Sequence, residues 1–329
     1  MGKLYKKISI IGCGTWGIAI SKHLSSKSSI YLNHYRKDYL ESLDKSRVYR
    51  GSFDFKLPSN IQIDYNLSNR SDLYVISTPV QYIRSAIKVS QIPEKSKILI
   101  LSKGIESETL MFPSQIIQDI FKEKKVDIGV LTGPSHAEQI IEGSPASLVV
   151  SSLDSEFSKD IQQLFSDDTF RVYCSRDMVG VQLGGAVKNV ISIASGIAWG
   201  LGFKENTVAA ILTRGLYEIK KLGEAIGVNK DTLNGLAGLG DLMATSFSLD
   251  SRNRYVGHQL AKGNNVEDIA KNMNMNAEGV ETSRSLYLLS RKLEVDMPIC
   301  KKVYDIIYKN EDPTKAIANL MNRELRSEF

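Results

Sequence analysis

Short apolar runs rich in isoleucine and valine recur through the first half of the chain, at residues 7–11, 30–33, 60–65, 73–78, 97–102, 127–132, 147–152 and 170–174. Near-continuous runs of this length suit strands buried on both faces. Between several of them the apolar positions switch to helical spacing, at 15–26, 80–90 and 111–124. That alternation predicts a parallel sheet with crossover helices. From about residue 177 the strand-like runs stop, and helical spacing takes over at 178–200, 206–227, 254–262, 278–292 and 298–309. No Pro- or Ser-rich linker separates the halves, so the change of period alone sets a boundary near residue 180.

The first run ends in IIGCGTWG, residues 10–17. Gly12, Gly14 and Gly17 fit G-x-G-x-x-G, the spacing with which a tight turn leaves a strand and offers bare amides to a pyrophosphate at a helix N-terminus. KKISII before it reads as a strand and TWGIAISKHLSS after it as an amphipathic helix, which is the context the motif demands. The fold class is therefore α/β: a Rossmann-like doubly wound sheet followed by a mostly α-helical C-terminal domain. The expected division is 1–180, dinucleotide-binding, and 181–329, helical and substrate-binding.

The second strand should end in NHYRK, residues 33–37, with no carboxylate before Asp38. An NAD-selective site places an acidic residue there for the ribose 2′-hydroxyl. Arg36 either faces a 2′-phosphate through its guanidinium or is an exposed surface arginine; the first reading tilts the cofactor, NAD(P)H, toward NADPH over NADH. Further loops fall at strand ends: STPV at 77–80, LSKGIE at 101–106 with Lys103, and LTGPSHAE at 131–138 with Gly133, Ser135 and Ala137. Ligands of such sheets sit at this edge.

VQLGGAVKNVISIASGIAWG, residues 181–200, is apolar or small on nearly every side yet carries Lys188 and Asn189 in its middle. A lysine buried there needs a partner or loses its proton, and the alternative is a stem that snorkels to the surface. Beside an anionic ligand it could keep its proton and pass it on, as carbonyl reduction requires. In GLAGLGDLMATSFSLDSRNRYVG, residues 235–257, Asp241 and Thr245 are four apart and share a helical face. SRNR, 251–254, sets two guanidiniums and an amide within one turn, which is either a solvated basic face or a clamp for a small phosphate.

Composition narrows the class only slightly. At 329 residues, 42% hydrophobic and 24% charged, the chain reads as a soluble globular protein of two domains. Its net charge of +5, from 42 Lys and Arg against 37 Asp and Glu, lacks a long basic block and suits anionic small molecules as well as nucleic acid. Three cysteines, Cys13, Cys174 and Cys300, without a C-x-x-C pair or His cluster, argue against a disulfide scaffold and a metal site. The basic N-terminus is followed by an apolar stretch too short for a signal peptide core, Lys6 breaks a myristoylation signal, and no 18-residue apolar segment lacks a charge. A cytoplasmic address with no membrane insertion is the expectation.

GCGTWG, LSKG, LTGPSHAE, QLGGAVKN, ILTRGLYE, GLAGLGDL, SRNR, NAEGVET and MPI run in order from residue 8 to about 323 and closely resemble the bacterial type of the NAD(P)-dependent glycerol-3-phosphate dehydrogenase family. The resemblance implies reversible reduction of dihydroxyacetone phosphate to sn-glycerol 3-phosphate, feeding glycerophospholipid synthesis. It makes Lys188 the proton donor, with Asp241 beside it. Lys103, Gly133, Ser135, Ser251, Arg252 and Asn253 would complete the substrate site. Besides the glycine turn, Thr15, Trp16, Arg36, Tyr49, Lys103, Ala137, Arg252 and Glu278 would hold the cofactor. In departure from the pattern, Cys13 stands where Ala or Gly is common, Thr15 replaces Ser, His136 replaces Phe, and SFSLDSRNR replaces a TCTG-type run. A homodimer is expected as the commonest assembly, and nucleic acid is not an expected partner. Two other readings stay open: a β-hydroxyacid-type dehydrogenase with a carboxylate substrate, and a redox-sensing binding protein, for which no DNA-binding helix-turn-helix is visible.

Overall fold

A computed structural model of the chain describes residues 5–67, 70–87, 91–273, 277–325 and 327–328. The basic N-terminal residues 1–4, the last residues of the expected helix 80–90 and Asn276 of NAEGVET lie outside the described residues.

The first part runs β1 (Lys7–Ile11), α1 (Thr15–Ser25), β2 (Ser29–Asn33), α2 (Lys37–Ser46), β3 (Val48–Arg50), β4 (Asp54–Lys56), β5 (Ile61–Ile63), β6 (Leu73–Ile76), α3 (Ile83–Ala86), β7 (Ser96–Ile100), α4 (Pro113–Ile120), β8 (Val126–Thr132), α5 (Ala137–Glu142), β9 (Ala146–Ser152), α6 (Ser155–Phe165) and β10 (Phe170–Ser175). All eight expected strands form and join one sheet in the order β10-β9-β8-β7-β6-β1-β2-β5. Ile10 on β1 pairs with Leu32 on one side and Val75 on the other, and all three are buried, as the unbroken apolar runs require.

Strand order reverses between β1 and β6. From β1 the chain builds outward to β2 and β5, then returns to build β6, β7 and β8 on the other side. The crevice above that reversal, at the carboxyl ends of the strands, is where such sheets bind ligands. The sheet departs from all-parallel at its far side, where β9 runs antiparallel to β8, with Thr132 opposite Val149. The chain after β8 turns back at the same edge through the short α5 instead of crossing over, so β9 re-enters from the carboxyl end. A crossover through α6 then makes β10 parallel to β9.

The expected helix at 80–90 is a 3₁₀ turn, Val80–Tyr82, followed by α3. Helices α2, α5 and α6 and the β3–β4 hairpin lie in stretches that periodicity alone left unassigned. For α6 the local signal was an N-cap: Asp154 accepts from the Glu156 amide at 2.9 Å.

After Ser175 the architecture is helical: α7 (Met178–Gly200), α8 (Glu205–Ala225), α9 (Lys230–Asn234), a π-helical turn (Leu236–Gly240), α10 (Asp241–Phe247), α11 (Arg252–Ala261), α12 (Val266–Met273), α13 (Glu278–Lys292), α14 (Pro298–Lys309) and α15 (Pro313–Met321). Helix α7 is buried continuously from Gly180 to Ala198 and forms the axis of this part. It is long and apolar enough to cross a membrane, but 94% of its apolar window is buried inside the protein. Its small residues let α11 approach backbone to backbone. A Cβ on Gly196 would lie 2.1 Å from the Arg254 carbonyl oxygen, and one on Gly257 would lie 2.0 Å from that of Ile193. Close packing of α11 on α7 carries Ser251, Arg252 and Asn253 toward Lys188.

Candidate active site

The glycine turn fills the crevice above the strand-order reversal. Gly12 has φ +110°, and a Cβ there would lie 2.7 Å from the Ser77 backbone, in the loop after β6. A Cβ on Gly17 would lie 2.0 Å from the Gly12 carbonyl oxygen, so helix α1 could not pack on the turn. Gly14, the N-cap of α1, is different: nothing lies within 4 Å of its Cβ position. The turn thus closes on itself at two glycines and leaves space at the third, where a phosphate can meet the helix amides. Beside it, Ser77 Oγ and Thr78 Oγ1 are buried with no hydrogen-bond partner among the described residues. Buried hydroxyls of this kind call for a polar ligand. The residues fit a bound dinucleotide.

Across the cleft, a cavity of about 210 Å³ is lined from both parts of the chain, including Gly14, Thr15, Trp16, Lys103, Lys188 and Arg252. At its base Lys188 on α7 is 6% exposed and Asp241 at the start of α10 is 1% exposed. Lys188 Nζ donates to Asp241 Oδ1 at 2.6 Å and to Thr245 Oγ1 at 2.8 Å. Lys103, emerging after β7, donates to the other carboxylate oxygen at 2.8 Å and to the Gly133 carbonyl at 3.3 Å. One carboxylate thus serves two ammoniums, and the trio keeps an excess positive charge that an anionic substrate can neutralise.

Burial is the strongest influence on Lys188 and lowers its pKa to about 8, with Asp241 opposing the fall and Lys103 adding to it. Burial alone would raise Asp241, but the two ammoniums overcome it and hold the carboxyl below its ordinary range. Glu278, at the start of α13, is pushed up by burial against the pull of Arg252, Lys103 and Lys188. His136, the N-cap residue of α5, is lowered chiefly by burial.

Ser135, Ala137, Ser251, Asn253 and Glu278 also line the cavity. Ser251 caps α11 through the Arg254 amide at 3.2 Å. Asn253 is tied down: its Oδ1 accepts from the Gly279 amide, and its Nδ2 donates to Asn189 Oδ1, both at 3.0 Å. Five expected residues stand outside the lining. Gly12, Gly17 and Gly133 shape the backbone, with Gly133 at φ +138° accepting from Ser135 Oγ at 2.9 Å. Tyr49 supports the turn from the β3–β4 hairpin, its hydroxyl 2.9 Å from Thr15 Oγ1. Arg36 is exposed at the start of α2 and ion-paired with Asp38 at 2.6 Å. The two guanidiniums of SRNR separate: Arg252 lines the cavity, whereas Arg254 lies over the Trp199 ring at 5.5 Å and donates to the Phe247 carbonyl.

Periodicity did not single out Thr78 or Ser102 as cavity residues. Nor did it identify an exposed, stacked aromatic pair, Tyr35 after β2 and Tyr82 after β6, whose rings lie 6.2 Å apart at 18°. Their only sequence signal is a tyrosine just past each strand end.

Comparison with known proteins bears on the whole chain. Residues 7–158 match the family described as NAD-dependent glycerol-3-phosphate dehydrogenase N-terminus, and residues 177–318 match its C-terminus. Glycerol-3-phosphate dehydrogenase (NAD(P)+) of Thermoanaerobacter sp. strain X514 is 39% identical over 329 residues, covering 98% of this chain and 99% of that one. The corresponding Salinibacter ruber protein is 38% identical, covering 98% and 96%. The crystal structure of glycerol-3-phosphate dehydrogenase from Coxiella burnetii superposes with a TM-score of 0.92 at 29% identity, covering 97% of this chain and 100% of that one.

Proposed function

The chain belongs to the NAD-dependent glycerol-3-phosphate dehydrogenase family, and on that premise we propose that it reduces dihydroxyacetone phosphate reversibly to sn-glycerol 3-phosphate. The observation that carries the reading is the Lys188–Asp241–Lys103 array, with Lys188 and Asp241 buried and Lys103 partly so, facing the glycine turn across one cavity. A bound NAD(P)H, held by the glycine turn, would supply the hydride for the substrate C2. Lys188 meets the carbonyl oxygen, stabilises the charge that grows there and gives up its proton; in the oxidation direction it takes that proton back. Asp241 orients Lys188 and holds its charge, with Thr245 fixing the ammonium from one turn further along α10. Arg252 and Asn253 hold the phosphate, and Lys103, Gly133, Ser135 and Ser251 complete the wall around the substrate. Phosphate binding remote from C2 fixes the geometry of the reacting carbon.

Gly12, Gly14, Thr15, Trp16, Gly17, Tyr49, Ala137 and Glu278 form or support the cofactor site, Lys103 and Arg252 reach both ligands, and Tyr35 and Tyr82 offer flat faces for the adenine. NADPH is favoured over NADH through Arg36, whose guanidinium would exchange Asp38 for a 2′-phosphate. The proposed domains are 1–180 and 181–329. A homodimer in the cytoplasm, supplying glycerophospholipid synthesis, is the proposed setting.

The test is steady-state loss of nicotinamide absorbance. Dihydroxyacetone phosphate should drive oxidation of NADPH where a 2-oxo acid does not, and the reverse preference would favour a β-hydroxyacid dehydrogenase. Arg252→Ala should raise the KM for the phosphorylated ketone far more than that for cofactor. Equal rises would assign Arg252 to the nucleotide.

A further inference from the structure

His136 lines the same cavity as Lys188 but has no part in the chemistry described above. Its Nε2 lies 3.3 Å from the carbonyl oxygen of Ala244. In the neutral ring that nitrogen is therefore the donor, and Nδ1, which makes no hydrogen bond among the described residues, keeps its lone pair. Ala244 immediately precedes Thr245, whose hydroxyl bonds Lys188 Nζ, so the imidazole is anchored to the turn of α10 that positions the proton donor. It is partly exposed, whereas Lys188 and Asp241 are buried.

Each reduction leaves Lys188 as a neutral amine that must regain a proton from solvent. Resting on the reaction proposed above, we infer that His136 is the relay that returns this proton. The imidazolium releases a proton from Nδ1 to cavity water as that water protonates the Lys188 amine, and the imidazole then recovers a proton from bulk. Nothing else is consumed, and in the oxidation direction the path runs backward. The charged groups acting on the ring are Glu138 on its own helix, Lys188 from α7 and Asp241 from α10; Lys103 from the loop after β7, Asp250 before α11, Arg252 at its start and Glu278 from α13 line the same cavity. Burial lowers its pKa from the ordinary histidine value against the pull of the Ala244 carbonyl, with Lys188 adding to the fall and Asp241 and Glu138 opposing it.

Two replacements separate relay from packing. His136→Gln can keep the bond to Ala244 but cannot titrate; His136→Phe keeps a ring and loses both functions. Both should lower kcat for reduction at neutral pH by about three- to tenfold, leaving both KM values, NADPH affinity by fluorescence titration and the melting temperature near wild type. Added imidazole should restore most of the lost kcat. Wild-type kcat in the Gln variant, or a loss that imidazole does not repair, overturns the relay. A wild-type enzyme that does not reduce dihydroxyacetone phosphate at all would instead overturn the reaction itself.

Discussion

On the sheet side of the cleft the proposed ligand site is backbone: Gly12 at φ +110°, the open Gly14 and the first amides of α1, all within six residues of one another. On the helical side the proposed site is built of side chains assembled from a distance, since Lys188 and Asp241 are 53 residues apart and Lys103 and Asp241 are 138 apart. The first wall needs only a local turn that no side chain obstructs. The second needs three charges held in one buried place, which is stable only while each has its partner. The proposed cofactor wall is therefore a property of chain conformation, and the proposed catalytic wall a property of packing.

That contrast can be broken from either side. Lys188→Met should lower kcat by about 10²–10⁴-fold in both directions while leaving cofactor affinity within a few-fold. Fluorescence titration with NADPH beside steady-state assays separates the two, and a variant keeping most of its turnover removes Lys188 from the mechanism. Gly12→Ala attacks the other wall. Its Cβ would press on the Ser77 backbone at a φ that costs an alanine about 1–3 kcal/mol, so cofactor affinity should fall about tenfold or more and the melting temperature by several degrees. The Lys188–Asp241–Lys103 array should survive, so kcat at saturating cofactor should change less than in Lys188→Met.

Smaller effects sharpen the comparison. Lys188 must be protonated to act as donor, and its pKa is lowered to about 8. The kcat/KM for ketone reduction should thus be flat below that pH and fall about tenfold per unit above it. Asp241→Asn removes the charge that holds the pKa up, so the fall should begin at lower pH; an unmoved profile would assign it to another group. The smallest change belongs to Arg36→Ala. Its side chain is 55% exposed and already paired with Asp38, so the KM for NADPH should rise by only about three- to tenfold and that for NADH should stay put.

Much of this is legible in the sequence alone. The eight strands were readable because an apolar run buried on both faces carries its own signature, and the glycine turn because its spacing is local. The length and burial of α7 followed from its composition, which also marked Lys188 as an anomaly in need of a partner. Short capped helices such as α5 and α6 were not legible by period, since six to eleven residues give a weak repeat and their signal lies in a cap.

The sequence by itself determined the strands, the glycine turn and a buried lysine, because each rests on neighbours a few residues away. Only the tertiary structure decided that Lys103 and Lys188 share one carboxylate, that Arg252 faces the cavity while Arg254 turns to Trp199, and that β9 runs against β8. Those outcomes depend on how the glycines of α7 and α11 let two helices touch and on which edge the chain re-enters. No local pattern encodes them, because the atoms that settle each choice lie far away along the chain.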